Sequence, residues 1–308
     1  MTGEALLAAD VRKTYRIRNG PSVDALAGVS MTVQKGERVA LLGRNGAGKT
    51  TFLKIASTLL TPTSGRIEVF GHDVSGTPDE VRRLIAVVPQ EGKPFFHLTP
   101  REQVYTYLRA RGFDRGTAKE RTGSVLTEMG LDEVADRLSI TLSGGQRQRT
   151  MVATVIATAA PLLFLDEPTI GMDPFGRREV WESLRALTRR GSTILLTTHY
   201  LDEAEALSNR LYVVERGRVL VEGTADSLKQ QVGGTLRVSI PGGAAFAQTF
   251  ASFGGAVADG GTLHIILDPA RLTEILGLAV KSGLTATVGP VTLEEAFLRV
   301  VGRSIDED

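Results

Sequence analysis

The sequence contains no cysteine. A chain without thiols can form no disulfide, no zinc site built on cysteine and no thiol nucleophile, so these classes of site are excluded. The absence also fits a reducing compartment, where disulfides are rare.

Neither sign of charge is in excess, and long apolar runs are missing. Lys and Arg number 36 against 35 for Asp and Glu, a net charge of +1, so bulk charge indicates neither a nucleic acid nor an anionic membrane as partner. The most apolar window, residues 151–165, is shorter than the ~20 residues of a membrane-spanning helix. The first fifteen residues contain an acid and too short an apolar run for a signal peptide. We therefore expect a chain that is soluble or that reaches a membrane only through a partner.

Residues 1–223 alternate between strand-like and helix-like patterns. Short apolar runs bounded by turns are typical of strands buried on both faces of a parallel sheet, and they lie at residues 39–42, 162–165 and 194–197. Helical patterns lie at residues 49–59, 177–189 and 201–208. Antiparallel strands are expected at residues 6–11 and 29–33, and a hairpin across Arg216 and Gly217. The alternation predicts an α/β domain.

The remaining residues predict a linker helix and a small accessory domain. Residues 224–234 end in two glycines and are interpreted as the linker. In residues 235–308, strands are expected at 235–240, 262–267 and 284–288, and helices at 244–253, 269–282 and 293–301. This pattern predicts an α+β fold without a catalytic constellation. Residues 306–308 are expected to be a frayed tail.

A phosphate-binding loop follows the apolar run at residues 39–42. The eight residues that fit GxxxxGK[ST] are Gly43, Arg44, Asn45, Gly46, Ala47, Gly48, Lys49 and Thr50. Glycines let the backbone amides of such a loop wrap around α- and β-phosphates. We expect Lys49 to reach the β- and γ-phosphate oxygens, Thr50 to bind Mg²⁺ and Thr51 to contact the α-phosphate. The strand before the loop and the helix after it indicate a site rather than a plain glycine turn.

Two adjacent acids end the apolar run at residues 162–165. A hydrophobic strand that leads to an acid is typical of the Mg²⁺ side of P-loop nucleotide hydrolases. Because neighbouring residues of a strand point to opposite faces, Asp166 and Glu167 are expected to have different roles. We expect Asp166 to hold the metal and Glu167 to face the γ-phosphate and an attacking water.

Three single residues are ambiguous when each is considered alone. Gln90 follows an apolar run and is either a solvated loop residue or a contact of Mg²⁺ and water. His199 follows the run at residues 194–197 and either caps a strand or contacts the γ-phosphate, because ligands of open α/β sheets bind at the carboxyl ends of strands. Tyr15 either stacks on a purine or packs on the sheet.

A second phosphate-facing motif, LSGGQ, occupies residues 142–146. Ser143 suits the N-cap of a helix over residues 146–160. Gly144 and Gly145 have no Cβ, so the backbone amides at this helix start can approach an anion closely. A chain with a complete phosphate loop has no evident need for this motif, and we interpret it as serving a second copy of the protein.

These motifs, in this order, resemble the nucleotide-binding subunit of ABC transporters over about residues 5–223. The resemblance implies an ABC-type P-loop NTPase domain with a parallel-sheet core, an antiparallel β subdomain and a helical subdomain at about residues 92–155. It also implies ATP and Mg²⁺ as cofactors. In this family two such domains pair head to tail, so that LSGGQ of one caps the ATP bound by the other, and we expect a homodimer.

The resemblance also implies roles for single residues. It matches Tyr15 to the adenine-stacking aromatic, Gln90 to the Q-loop, Glu167 to the general base, Asp173 to the D-loop and His199 to the switch histidine. The implied catalytic residues are Glu167, His199, Lys49 and Gln90. The implied metal ligands are Thr50, Gln90 and Asp166. The implied ATP-binding residues are Tyr15, Gly43, Asn45, Gly46, Ala47, Gly48, Lys49, Thr50, Thr51, Ser143, Gly144, Gly145, Gln146 and Asp173.

Three segments narrow the resemblance to drug-resistance and related ABC-2 type exporters: residues 175–178, 198–205 and 292–299. This group implies an ATPase on the cytoplasmic face of the cell membrane, attached through a membrane-spanning permease and without a nucleic-acid partner. The implied cargo is a drug, antibiotic, lipid or polysaccharide. The aromatic residues 95–98 are expected either to help form the groove that receives a permease helix or to pack in the core.

Two other functions are compatible with part of the pattern. A soluble ABC ATPase that acts on ribosomes typically carries two cassettes, whereas this sequence has one. An ABC ATPase that acts on DNA carries a long coiled coil, and the interval between Lys49 and Asp166 is too short for one. A nucleotide sensor without turnover is the other alternative, and the intact Glu167 and His199 argue against it.

Overall fold

The computed structural model describes residues 3–16, 21–90, 92–231, 234–254 and 256–302. Residues 232 and 233 of the expected linker and the expected tail at 306–308 lie outside these ranges. The contacts of the chain divide it into two compact units, residues 1–222 and 223–308. None of the described helices is both long and apolar enough to cross a membrane.

The first unit alternates strands and helices along the described chain. Its strands are β1 (Glu4–Tyr15), β2 (Val23–Gln34), β3 (Arg38–Leu42), β4 (Ser64–Val69), β5 (His72–Asp73), β6 (Ile85–Val88), β7 (Leu162–Asp166), β8 (Thr193–Thr198), β9 (Arg210–Glu215) and β10 (Arg218–Gly223). Its helices are α1 (Lys49–Ala56), α2 (Pro78–Leu84), α3 (Pro100–Ala110), α4 (Arg115–Glu128), α5 (Gly144–Ile156), α6 (Pro174–Arg189) and α7 (Leu201–Leu207).

A central sheet carries the site. Its strand order is β10-β9-β3-β8-β7-β6, and β9, β3, β8, β7 and β6 pair in parallel. Every residue of β7 and β8 is buried, which explains their continuous apolar runs. The register sets Leu42 opposite Thr198 and Asp166 opposite Thr197. The segments that follow β3, β7 and β8 therefore emerge at one edge of the sheet.

A second, antiparallel sheet has the order β2-β1-β4-β5. Its apolar residues share a core cluster with α1 and the central sheet, in which Leu6, Val29 and Phe52 are almost fully buried. The hairpin between β9 and β10 turns at Arg216 and Gly217, both with positive φ, as a two-residue turn that matches strand twist requires. These sheets confirm the predicted α/β class and the antiparallel strands. Helix α1 ends at Ala56, three residues earlier than expected. Two residues beyond this end, Thr58 adopts a φ of 64°, which does not fit a continuing helix.

The second unit is an α+β fold. Its strands are β11 (Leu236–Pro241), β12 (Ala256–Asp259), β13 (Thr262–Leu267) and β14 (Thr287–Pro290), and its helices are α8 (Ala225–Gln230), α9 (Leu272–Lys281) and α10 (Leu293–Val301). The strand order is β12-β13-β11-β14, and all of these pairings are antiparallel. One face packs its apolar side chains against α9 around Val238, Ile265 and Ile275.

Two expectations for this unit are wrong in detail. The helix expected at 244–253 is instead two 3₁₀ turns, at Gly243–Phe246 and Ala251–Phe253. Phe250 and Phe253 are both buried in the core, and 3₁₀ geometry aligns side chains three residues apart. The strand expected at 284–288 forms at Thr287–Pro290. The helix within the expected linker, α8, contacts α10 and so belongs to this unit.

Candidate functional site

The phosphate-binding loop lies between β3 and α1 and depends on its glycines. Gly46 and Gly48 have φ values of 76° and 107°, a region that L-residues rarely adopt. A Cβ on Gly43 would come within 2.3 Å of Val214 O, and one on Gly48 within 2.5 Å of Ala25 O. No atom lies within 4 Å of the corresponding position on Gly46. The loop is thus clamped from one side and open on the other, where an anion can approach.

Lys49 begins α1 and folds back into this loop. Its side chain is buried, and Nζ donates to the carbonyl oxygens of Gly43 at 2.6 Å and Arg44 at 2.9 Å. A buried ammonium requires such partners. Its positive charge favours the ionised forms of Asp166 and Glu167, against the burial that raises the pKa of Asp166. The lysine therefore lies where the loop meets the two acids.

The three residues expected to bind a metal come together beside the lysine. The Thr50 hydroxyl lies 3.1 Å from Asp166 Oδ1 and 3.3 Å from Gln90 Oε1. Among the described residues, no three His, Asp or Glu side chains cluster as an all-protein metal cage would require. One carboxylate, one hydroxyl and one amide oxygen fit Mg²⁺ instead, because this ion binds few protein oxygens and keeps water and phosphate ligands.

Thr197 holds the two acids in place, a role that the sequence analysis missed. Its hydroxyl donates to Asp166 Oδ1 and accepts from the Glu167 backbone N–H at 3.1 Å. Its carbonyl oxygen also accepts from Glu167 N. A threonine at the end of an apolar strand was the available signal, but threonine is common in strands. Burial raises the pKa of the Asp166 carboxyl, and the hydroxyls of Thr197 and Thr50 offset this only in part.

Glu167 and His199 face each other past the strand ends. Glu167 is 4% exposed and has a φ of 50°, a strained conformation of the kind that concentrates at functional sites. His199 Nδ1 lies 3.1 Å from Glu167 Oε1. Burial alone would raise the pKa of Glu167, but His199, Lys49 and Gln90 together hold that pKa below its usual value. The carboxyl is thus ionised at neutral pH and available to accept a proton.

The LSGGQ motif forms the start of α5. Ser143 is the N-cap, as the sequence predicted: Ser143 Oγ accepts from Gln146 N at 3.2 Å, and the Gln146 side chain accepts from Ser143 N at 2.9 Å. Ser143 and Gly144 are exposed. No atom lies within 4 Å of a Cβ built on Gly144. The motif therefore presents a capped helix start to the outside of the unit, where first-turn amides are available to an anion.

The other expected site residues lie around this edge or near the first strands. Asp173 caps α6, accepting from Phe175 N and Gly176 N at 3.0 Å. Tyr15 ends β1, is 40% exposed, and has Lys13 Nζ 5.5 Å from its ring centre. Asn45 is exposed, Ala47 is buried and Thr51 is half-buried. The aromatic pair Phe95 and Phe96 is exposed rather than packed in the core, at 72% and 42%.

The assembled edge combines groups that hydrolysis of a nucleoside triphosphate needs. The loop and Lys49 offer amides and an ammonium to phosphate oxygens. Thr50, Gln90 and Asp166 offer oxygens to a divalent cation. Glu167 offers a carboxylate to water.

Comparison with known proteins agrees with this geometry. The sequence profile of the ABC transporter family matches residues 26–170. The daunorubicin/doxorubicin resistance ATP-binding protein DrrA of Streptomyces peucetius is 36% identical over all of this chain and 96% of that protein. The Nod factor export ATP-binding protein I of Burkholderia orbicola (strain AU 1054) is also 36% identical, over 91% of this chain and 93% of that protein.

Two solved structures have the same fold as the first unit. An ATP-binding subunit of an ABC transporter matches with a TM-score of 0.66 and 30% identity, over 74% of this chain and 92% of that one. The dimeric cassette MJ0796 in a post-hydrolysis state with ADP and Pi matches with a TM-score of 0.66 and 27% identity, over 71% of this chain and 98% of that one.

We predict that Asp166→Asn stabilises the nucleotide-free protein. Because the folded-state pKa of Asp166 is raised, its ionisation costs folding free energy, and stability is lost as pH rises from the unfolded to the folded pKa. At pH 7 the amide removes this cost and still accepts hydrogen bonds. Thermal unfolding in EDTA should show a Tm higher by roughly 2–4 °C, the shift that about 1 kcal/mol gives in a domain of this size.

The control is Asp136→Asn. Asp136 is exposed and its pKa is lowered by a hydrogen bond from Arg101, so this substitution should give no increase in Tm. A Tm for Asp166→Asn at or below that of the control would contradict the prediction.

Proposed function

This chain belongs to the ATP-binding subunits of ABC transporters, which are ATPases, and we propose that it powers export of a small molecule through a separate membrane-spanning partner. The observation that carries the proposal is the meeting of the phosphate loop, the Thr50–Asp166 pair and the Glu167–His199 pair at one edge of the sheet. The related proteins named for daunorubicin or doxorubicin resistance and for Nod factor export suggest a drug or an exported factor as the cargo.

Hydrolysis is proposed to start with ATP in the loop. The amides of residues 43–48 and the Lys49 ammonium bind the phosphates, and Tyr15 stacks on the adenine. Thr50, Gln90 and Asp166 would hold Mg²⁺, which would offset the negative charge of the phosphates.

Glu167 then orients a water molecule and accepts its proton. The water oxygen bonds to the γ-phosphorus, and the bond between the γ-phosphorus and the β-phosphate oxygen breaks. His199 interacts with the transferred phosphoryl group. Positioning and electrostatics supply most of the acceleration in this kind of reaction.

Each site is proposed to be completed by a second copy of the chain. Ser143, Gly144 and Gly145 are the groups that would contact the γ-phosphate of the partner's ATP, because the capped start of α5 faces outward. Gln146 supports them through the capping box. Asp173 would lie at the same interface. Two such copies form two sites, and each site draws its phosphate loop from one copy and LSGGQ from the other.

We propose that the membrane partner binds an apolar patch formed by Phe95, Phe96, Leu138 and Ile140. These side chains are 42–72% exposed. Backbone hydrogen bonds from Ile140 N to Phe96 O and from Ser139 N to Leu98 O join the two segments. Contiguous exposed apolar surface of this kind marks interaction sites. Through this patch the chain would be held at the cytoplasmic face of the membrane.

We predict that Glu167→Gln retains ATP binding but loses turnover. The amide keeps the size of the side chain and cannot accept the proton, so kcat should fall by about 10²–10⁴-fold, the usual contribution of a positioned base. Phosphate release measures turnover, and a fluorescent ATP analogue measures binding. The matched control is Glu182→Gln on α6, which is exposed and should keep the parent rate. Parent-like turnover in Glu167→Gln would remove Glu167 from the proposed role.

A mixing experiment tests the shared site. Lys49→Met and Ser143→Arg should each be inactive alone, because every site in either homodimer carries a defect. In a mixed dimer, one site pairs the intact Lys49 of one copy with the intact Ser143 of the other. Combining the two preparations should therefore restore phosphate release. If both groups served ATP within one chain, the mixture would stay as inactive as its components.

For the apolar patch, we predict that Phe95→Ser combined with Ile140→Ser releases the chain from the membrane. Loss of central apolar contacts at an interface costs about 2 kcal/mol or more each, so the membrane-bound fraction in cells of the source organism should fall at least roughly tenfold. Leu59→Ser is the control, because Leu59 is 63% exposed and lies outside the patch. If the double variant and Leu59→Ser stay on the membrane to the same extent and keep their ATPase rates, the membrane partner does not bind this patch.

A further inference from the structure

Helices α6 and α7 contact each other along a seam of polar and aromatic side chains. The α6 residues are Arg177, Trp181 and Arg185, whose spacing of four puts them on one face of the helix. Arg185 Nε donates to Ala206 O at 3.2 Å, and Trp181 Nε1 donates to Glu203 Oε1 at 3.3 Å. At the N-terminal end of α6, the seam lies beside the segment that carries His199.

At one end of the seam, three side chains stack toward Glu167. The Arg177 guanidinium lies 4.0 Å from the centre of the Tyr200 ring, a cation–π distance. The Tyr200 and His199 ring centres are 4.1 Å apart, and His199 Nδ1 is 3.1 Å from Glu167 Oε1. Tyr200 N donates to Thr198 Oγ1 at 2.9 Å, which fixes the turn after β8. The imidazole is therefore held between an aromatic ring and the proposed base.

The middle of the seam is anchored by a buried carboxyl. Glu203 is fully buried, and its Oε1 also accepts from Thr169 Oγ1 at 2.7 Å. Thr169 lies two residues beyond Glu167, so this bond ties α7 to the segment that carries the proposed base. Burial raises the pKa of Glu203, against hydrogen bonds that lower it. Glu203 thus links three elements: α7, α6 through Trp181, and the segment after β7.

We propose that Arg177, Tyr200 and Glu203 are positioning residues that set the His199 ring against Glu167 and transmit the position of the N-terminus of α6 to that pair. The inference rests on the proposed function, in which Glu167 and His199 act on water and the γ-phosphate. Asp173 caps α6 four residues before Arg177, and the neighbouring Phe175 is 78% exposed. Arg177 lies one helical turn beyond this cap, so a displacement of the helix start by a docking second copy would move the guanidinium that packs on Tyr200.

The test is Tyr200→Leu, measured in the parent chain and in a His199→Ala chain. Leucine removes the ring that the imidazole packs on, and misplacement of a reacting group by about 1 Å costs on the order of 10²-fold. In the parent chain, kcat should fall roughly 10- to 100-fold while KM for ATP changes by less than about twofold, since the phosphate loop is untouched. In the His199→Ala chain, single-turnover rates should show no further loss, because the positioned group is gone.

Three further variants separate positioning from loss of structure. Tyr200→Phe keeps the ring and should restore most of the rate lost in Tyr200→Leu. Arg177→Gln should lower kcat, whereas Arg189→Gln, an exposed arginine on the same helix, should not. Emission of Trp181, the single tryptophan, reports the seam directly and should change in Tyr200→Leu at unchanged secondary structure.

The outcomes distinguish this inference from the proposed function. If His199→Ala hydrolyses ATP at the parent rate, the proposed role of His199 fails. If His199→Ala is impaired but Tyr200→Leu and Arg177→Gln keep the parent kcat, only the positioning role is overturned. Equal fractional losses from Tyr200→Leu in both backgrounds would also overturn it, because the effect would then not act through His199.

Discussion

The parallel pairing of β3, β8 and β7 brings together chain segments that are far apart in sequence. With β8 in the middle, the loop after β3, the acids at the end of β7 and His199 after β8 share one edge. A slip of one residue in either pairing would reverse which side chains face the site. Thr197 reinforces the register, because it bonds to Asp166 and to the backbone of Glu167. The geometry of the site is thus a direct consequence of sheet pairing.

The same edge sets two adjacent carboxyls into different electrostatic environments. Asp166 is held in a buried position that raises its pKa, whereas Glu167 has its pKa lowered by His199 and Lys49 despite burial. Opposite shifts in a neighbouring pair indicate separate tasks. A cation beside Asp166 would compensate its burial, while Glu167 remains ionised, as its proposed role in proton transfer requires. Ionised Asp166 therefore lowers the stability of the folded protein, a cost that functional sites commonly have.

Local spacing was sufficient to predict the phosphate loop, the acid pair and the Ser143 cap. In each case the motif lies within a few residues of one strand end or helix start, so backbone geometry follows from the sequence. Gln90 and His199 were ambiguous when each was considered alone, because a single polar residue after a strand forms no motif with its neighbours in sequence. Only the order of the strands in the sheet shows which residues lie beside it.

Thr197, Tyr200 and Glu203 could not be predicted as supports of the site. Their partners come from other segments, and their residue types are unremarkable at strand ends and in helices. The 3₁₀ turns at Gly243–Phe246 and Ala251–Phe253 were missed for a related reason, since the burial of Phe250 and Phe253 is decided by the sheet beneath them.

The start of α5 carries the outward-facing LSGGQ motif and is also joined to the segment of the proposed base, Glu167. Ser143 Oγ accepts one hydrogen bond from Gln146 N, so its own hydroxyl proton and the first amides of the helix stay available to an anion from outside. On the same helix, Gln148 is buried and donates from Nε2 to Pro168 O at 3.1 Å. Pro168 directly follows Glu167. The start of α5 is therefore connected, through the Gln148 side chain, to the backbone beside Glu167, the proposed base of the same chain.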